Sequence, residues 1–228
     1  MTLEEVIEGA VLLVDKPLGW TSFDVVNKFR SALKLKKVGH AGTLDPLATG
    51  LLILCTNKMT KEITTYQGLK KTYTGCITLG ATTPSYDLET AFNETFATTH
   101  LTKEKIEAAA KAFIGWQQQT APAYSAVKQK GKRNYELARS GKVVPDKTRW
   151  IKVEKFEVVK IDMEKEMPEV YFEIVSIKGT YIRTIAHDFG TYLNCGAHLS
   201  VLRRTHIGTF TVEKAKEVDD LINQLKET

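Results

Sequence analysis

One carboxylate, Asp45, stands alone in the seventeen-residue string GHAGTLDPLATGLLILC at residues 39–55. Gly39, Gly42 and Gly50 loosen the backbone there, and Pro46 biases Asp45 toward an extended conformation, so the string does not read as helix. The apolar run at 51–55 is short and bounded, which predicts a buried strand. Asp45 therefore sits at the apex of a tight loop that feeds a core strand, and loops on rigid scaffolds are where chemistry concentrates. Taken alone, an Asp before Pro is also an ordinary turn former. Two other residues could work with it. Arg183 falls in the first turn of a helix predicted over 181–193, where a cation opposes the helix dipole and calls for an anionic partner. Tyr73 lies on an alternating, strand-like stretch over 72–79. If Asp45 and Arg183 meet, the ion pair orients the carboxylate and keeps it ionised. Such a carboxylate serves as a nucleophile or a general base.

The placement of cations points to a polyanionic substrate. Lys28, Arg30, Lys34, Lys36 and Lys37 lie between Asp24 and Asp45 with no acid among them. From Lys128 to Lys152 nine basic residues face only Glu136 and Asp146, with Tyr124, Tyr135 and Trp150 interleaved and Gly131, Gly141 and Pro145 loosening the chain. Cations mixed with aromatic residues on flexible backbone suit a nucleic-acid-binding excursion. A basic surface loop without a partner is the plainer reading, and the aromatic residues bring the two to even odds.

Composition closes off other classes. The 228 residues carry 32 basic and 27 acidic side chains, a net charge of +5. The three cysteines are far apart with no CxxC pair, and the five histidines form no metal-ligand spacing, so no metal and no disulfide framework are expected. No glycine-rich phosphate or dinucleotide fingerprint follows a strand, so no cofactor is expected. The first eight residues carry three glutamates, the opposite of a basic leader, and no apolar run is long enough for a bilayer. The expectation is a cytoplasmic protein working with its own side chains.

The elements that must position these residues read as follows. A strand over 10–14 ends in a turn at 15–19. Thr21 or Ser22 caps a helix with Val25, Val26, Phe29, Ala32 and Leu33 inward. A helix over 58–66 precedes the strand at 72–79, and 81–94 is turn-rich with a short strand. Thr102 caps a helix carrying Ile106, Ala109, Ala110 and Phe113. Strands over 151–163 and 169–177 precede the 181–193 helix and a strand over 199–205. A last helix buries Ala215, Val218, Leu221, Ile222 and Leu225 and presents Glu213, Glu217, Asp219 and Asp220, which sets this end against contact with a polyanion. The pattern is α+β, with a mixed, mostly antiparallel central sheet flanked by helices.

The string at 39–55 resembles the signature of the TruB-type tRNA pseudouridine synthases, with Asp45 at the place of their catalytic aspartate. Five more segments match in order. They are Val14-Asp15-Lys16-Pro17 with Gly19-Trp20-Thr21-Ser22; Lys71-Thr72-Tyr73; Pro122-Ala123-Tyr124-Ser125-Ala126-Val127-Lys128 with Gly131-Lys132; Lys178-Gly179-Thr180-Tyr181-Ile182-Arg183-Thr184; and Gly196-Ala197-His198-Leu199 with Leu202-Arg203-Arg204. The resemblance implies the pseudouridine-synthase fold and isomerisation of the T-loop uridine at position 55 of tRNA, with the base flipped out of its stack. It implies that Asp45 attacks sugar or base or starts elimination, that Tyr73 stacks on the base and helps remove the carbon-5 proton, and that Arg183 pairs with Asp45. His40 would displace the base by stacking, Leu202 would wall the base pocket, and Tyr181 and Lys16 would serve pocket and scaffold. Residues 117–152 would form an RNA-clasping thumb, with Lys128, Lys130, Lys132 and Arg133 on RNA.

The expectation is thus one catalytic domain over 1–228 with a thumb insertion at about 117–152. The C-terminal PUA-type module that many members carry is not expected, since the sequence stops after one acidic helix. The implied partner is the tRNA T-arm, with no membrane and no obligate protein partner. The alternative from another class is a non-catalytic tRNA-binding or RNA-folding factor on the same fold. An unrelated hydrolase using Asp45 lacks a recognisable general-base partner.

Overall fold

The computed structural model describes residues 1–124, 128–129, 132–133 and 147–228, with the side chains of residues 128, 129, 132 and 133 left aside. Helix α1 (Leu3–Gly9) is followed by β1 (Val11–Lys16), α2 (Ser22–Ala32), β2 (Val38–His40) and β3 (Ala48–Thr56). A 3-10 turn (Asn57–Glu62) and α3 (Ile63–Gly68) lead to β4 (Lys71–Leu79), then β5 (Ala81–Thr82), β6 (Glu94–Thr95) and α4 (Lys103–Ala112). Next come β7 (Gly115–Thr120), the short β8 (Lys128–Gln129) and β9 (Lys132–Arg133), the long β10 (Thr148–Asp162) and β11 (Glu169–Ser176). Helix α5 (Ile182–Tyr192), β12 (Ala197–Ile207), β13 (Phe210–Thr211), β14 (Lys216–Glu217) and α6 (Val218–Lys226) complete the described chain. The architecture is α+β, with mixed and largely antiparallel sheet. No described helix is long and apolar enough to cross a membrane.

The chain divides into two compact units, Met1–Thr74 with Leu202–Thr228, and Gly75–Val201. In the first unit the strands run in the order β14-β1-β3-β12-β4, with β2 also on β3 and β13 also on β12. Strands β1 and β3 are antiparallel, while β12 joins β3 and β14 joins β1 in parallel. Strand β3 explains the uninterrupted apolar run in the sequence. Leu52 and Leu54 pack with Val25, Val26 and Phe29 of α2 and Val218, Ile222 and Leu225 of α6. Leu51, Ile53 and Cys55 pack with Ala41, Ile207 and Val212. Both faces of β3 are covered, so alternation vanishes. Helix α2 starts where its cap predicts: Thr21 accepts from the Asp24 backbone N–H, and the Asp24 carboxylate accepts from the Thr21 N–H.

In the second unit β4 continues beside β11, and β10 pairs antiparallel with β11 on one side and β7 on the other. Phe113, Phe156, Phe172 and Phe189 form a chain of tilted and edge-to-face rings at 5.4–6.4 Å between centroids, binding the ends of α4 and α5 to the β10–β11 pair.

Two of the expected helices differ from the sequence reading. The helix expected over 58–66 is a 3-10 turn followed by one short α-helix. Thr56 makes no side-chain cap there, and Ile63, Thr64 and Thr65 are β-branched residues that favour helix weakly. Ala215 lies outside the last helix, because Lys216 and Glu217 first pair with Val14 and Asp15.

Candidate active site

The first unit builds a site around Asp45 from a row of residues on three adjacent strands. Lys16 at the end of β1 lies opposite Gly50 of β3, and Gly50 lies beside Arg204 of β12. Gly50 has φ of +104°. A Cβ there would stand 2.3 Å from the Arg204 carbonyl oxygen, so only glycine lets β12 come this close. The loop of residues 41–47 hangs from this row, and half-buried Asp45 sits in it. The Ala48 N–H donates to the Asp45 carbonyl at 3.0 Å and closes the turn. The Ser22 hydroxyl accepts from the Leu44 N–H at 2.8 Å. The Pro46 carbonyl accepts from the Gly19 N–H at 2.9 Å.

Two buried cations hold this loop. The Lys16 ammonium donates to the carbonyls of Pro17 (2.8 Å), Trp20 (2.6 Å) and, more weakly, Pro46 (3.4 Å). Burial pulls its pKa down to about 8, with the Asp45 charge acting against that and Arg204 adding to it. The side chain thus stays mostly charged at neutral pH. Arg204 is fully buried and donates to the carbonyls of Leu51 (2.8 Å), Gly42 (3.0 Å) and Thr43 (3.4 Å). Burial lowers its pKa, while the neighbouring Tyr73 hydroxyl and the Asp45 charge raise it. Asp45, Tyr73, Lys16 and Arg204 therefore form one electrostatic cluster. A carboxylate held beside two fixed cations and a phenol is suited to attack on an electrophilic carbon of an anionic substrate.

His40 on β2 and Leu202 on β12 belong to the same unit. Leu202 is buried and lies beside Ala48. His40 is half-buried, and its Nδ1 is buried without a hydrogen-bond partner. Burial first, and the Arg204 charge second, hold its pKa below the usual histidine value, so the ring is neutral near pH 7. A neutral imidazole fits stacking better than ion pairing with phosphate.

The second unit carries the other expected residues. Arg183, in the first turn of α5, is buried and donates to the carbonyls of Ser85 (3.1 Å) and Tyr124 (2.8 Å). Its Nε lies 3.7 Å from the buried Asp87 carboxylate, so the cation at this helix start has an acid within its own unit. Tyr181 stands at the N-cap of α5, where buried Gln119 grips its backbone twice: the Gln119 oxygen accepts from the Tyr181 N–H at 2.7 Å, and its amide donates to the Tyr181 carbonyl at 3.0 Å. The Arg149 guanidinium lies over the Tyr181 ring at 4.7 Å. Of the basic segment, Lys128 pairs in register with Arg133 and Gln129 with Lys132, whereas Lys130 lies outside the described residues.

The sequence reading did not single out Arg204, which braces the Asp45 loop, or Asp87 and Gln119, which hold Arg183 and Tyr181. Arg204 stood inside a recognised motif. Asp87 and Gln119 carry no local signal. The basic face of α2 is also partly neutralised, since Lys28 pairs with Asp219 of α6 at 2.9 Å.

The architecture is close to that of solved chains. A chain of a Cbf5-Nop10-Gar1 complex matches with a TM-score of 0.74 and 30% identity over 98% of this sequence. A chain of an H/ACA RNP bound to a substrate RNA containing 2'-deoxyuridine matches with a TM-score of 0.70 and 28% identity. This chain spans 56% and 55% of those two chains. Residues 30–182 match the model of the N-terminal domain of TruB family pseudouridylate synthases, and residues 183–228 match that of the tRNA pseudouridylate synthase B C-terminal domain. The fold is that of a pseudouridylate synthase. The tRNA pseudouridine synthase B of Flavobacterium johnsoniae is 49% identical over 225 residues, 96% of each chain. That of Chloroherpeton thalassium is 50% identical over 226 residues, 97% of this chain and 92% of its own. The chain belongs to the TruB family.

Proposed function

We propose that this chain isomerises the T-loop uridine at position 55 of tRNA to pseudouridine, with Asp45 as the attacking group. The activity, pseudouridine synthesis in tRNA, follows from its family. The bond between ribose C1′ and uracil N1 breaks, the uracil turns, and C1′ bonds to C5. The C5 proton leaves and N1 gains one, so the reaction balances without an oxidant or co-substrate. Asp45 acts at the sugar or at the base, and either route needs a carboxylate held at a fixed angle.

The observation that carries this reading is the cluster in the first unit, where Lys16 and Arg204 brace the loop bearing Asp45 and Tyr73 lies close enough to Arg204 to act on its charge. Tyr73 stacks on the flipped base and helps remove the C5 proton. His40 takes the space that the base vacates, and Leu202 walls the pocket. Arg183 serves as the catalytic arginine of this reading, and Tyr181 as a substrate-binding residue. Residues 117–152 clasp the T-arm through Lys128, Lys130, Lys132 and Arg133, as an insertion in one catalytic domain. The protein acts in the cytoplasm without an obligate protein partner.

The test uses an unmodified tRNA transcript and chemical mapping of pseudouridine with wild type and Asp45→Asn. Product at position 55 with wild type alone supports the reading. Tight binding by both with product from neither makes the chain a tRNA-binding factor instead.

A further inference from the structure

Strands β7 and β10 carry two tryptophans that the core does not use. Trp116 is 62% exposed and Trp150 is 63% exposed. The register sets Trp116 opposite Lys152 and Trp150 opposite Gln118. The two indoles are therefore diagonal neighbours on one face of the antiparallel pair, about 7–8 Å apart along the ribbon. Thr120 and Thr148 complete that face, with their hydroxyls hydrogen-bonded at 3.0 Å. The six residues carry one positive charge and no negative one. The Lys152 ammonium sits 5.9 Å from the centre of the Trp116 ring. Exposed Lys147 precedes β10, and the nearest acid on that strand, Glu154, lies past the end of the pairing with β7.

We propose that this face is a stacking platform for unpaired nucleotides of the RNA substrate. The proposal rests on the reading that the chain acts on tRNA. Large exposed aromatics on one face need a reason, because ordinary surfaces keep few of them. A protein partner would be expected to bury a contiguous apolar core. Here each indole stands among Gln, Thr and Lys, so the apolar area is broken into two separate rings. That pattern suits nucleobases, which stack on single rings, while nearby ammonium groups meet the phosphates. The spacing of the two rings is of the order of one extended nucleotide step.

The full chain is tested for binding to an unmodified tRNA transcript and to a short single-stranded RNA oligonucleotide. Trp116→Ala with Trp150→Ala should weaken binding to both by about tenfold for each ring removed. Trp116→Phe with Trp150→Phe should restore most of it, which loss of a merely structural contact would not predict. In a Trp20→Phe background these two are the only indoles, and oligonucleotide should quench their fluorescence. Unchanged affinity in the alanine variant overturns the proposal. So does a wild type that self-associates through this face and an alanine variant that does not, an outcome that makes it an interface between copies of the chain. Pseudouridine is mapped in the same samples. A wild type that makes none defeats the functional reading, whereas product together with unaltered binding by the alanine variant defeats the platform alone.

Discussion

Replacing Arg204 with methionine tests whether the Asp45 loop is held by that one side chain. Methionine fills similar space and removes every donor. The Leu51 and Gly42 carbonyls lose hydrogen bonds of 2.8 and 3.0 Å, and the Thr43 carbonyl loses a weaker one of 3.4 Å. A buried acceptor left without its partner costs about 1–3 kcal/mol, so the two strong contacts sum to about 2–6 kcal/mol. Part of that is offset, because methionine does not bear the guanidinium's desolvation penalty, itself several kcal/mol. The expected net loss is about 1–4 kcal/mol, which in a chain of this size lowers the melting temperature by about 2–16 °C. Circular dichroism melts of wild type, Arg204→Met and Arg204→Lys measure it, with single-turnover pseudouridine formation assayed well below each melt. Arg204→Lys keeps a charge near Asp45 but has no planar fork to hold the three carbonyls at once, so it should melt nearer to methionine than to wild type. An Arg204→Met protein that melts within about 2 °C of wild type and turns over at the same rate would refute the bracing role.

Other consequences are as direct. Because burial sets the pKa of Lys16 to about 8, below its ordinary 10.5, folding bears the cost of the buried charge below pH 8 and is relieved of it as pH rises from 8 toward 10.5. Stability of wild type relative to Lys16→Met should therefore climb across that window, as denaturant melts will show, while the turnover rate falls above about pH 8 as the charge near Asp45 is lost. Gly50→Ala combines an unfavourable positive φ with a Cβ driven into β12, together about 2–6 kcal/mol; a soluble variant with an unchanged melt would show that β12 can retreat at no cost. His40→Phe should keep most of the single-turnover rate and His40→Ala should lose about tenfold, if the neutral ring acts by stacking. Neutralising Lys128, Lys130, Lys132 and Arg133 together should flatten the dependence of log affinity for tRNA on log salt by up to about 3, and an unaltered slope removes these residues from the RNA contact.

The parts of this molecule legible in its sequence are those set by local patterns. The apolar run of β3 reads as buried strand because both its faces are covered, and Thr21 reads as a cap because Asp24 stands three residues on. Arg183 announces a need for an acid by opposing its helix dipole, but its position does not say which acid, and Asp87 supplies one at 3.7 Å. Arg204 is legible only as a motif member. Adjacent arginines on a strand point to opposite faces. Arg203 goes to Asp15, with hydrogen bonds of 2.6 and 3.0 Å, and Arg204 to the carbonyls around the Asp45 loop. Only the pairing of β12 with β3 decides which arginine serves which face. Gly50 reads as a residue that loosens the loop backbone, whereas its missing side chain makes room for the backbone of β12.

That last difference changes what the signature string is for. Lys16, Gly50 and Arg204 stand in register on three neighbouring strands, so the charges around Asp45 are set by strand pairing rather than by the loop itself. A slip of one residue in either pairing would turn Lys16 or Arg204 to the opposite face of the sheet. The slip is opposed from two directions. Leu51 to Cys55 would exchange partners between two packed clusters, and the one position that tolerates φ of +104° beside β12 would be taken by Thr49 or Leu51. The glycine and the apolar run that follow Asp45 are thus part of its electrostatics: they hold the register that brings both buried cations to the loop.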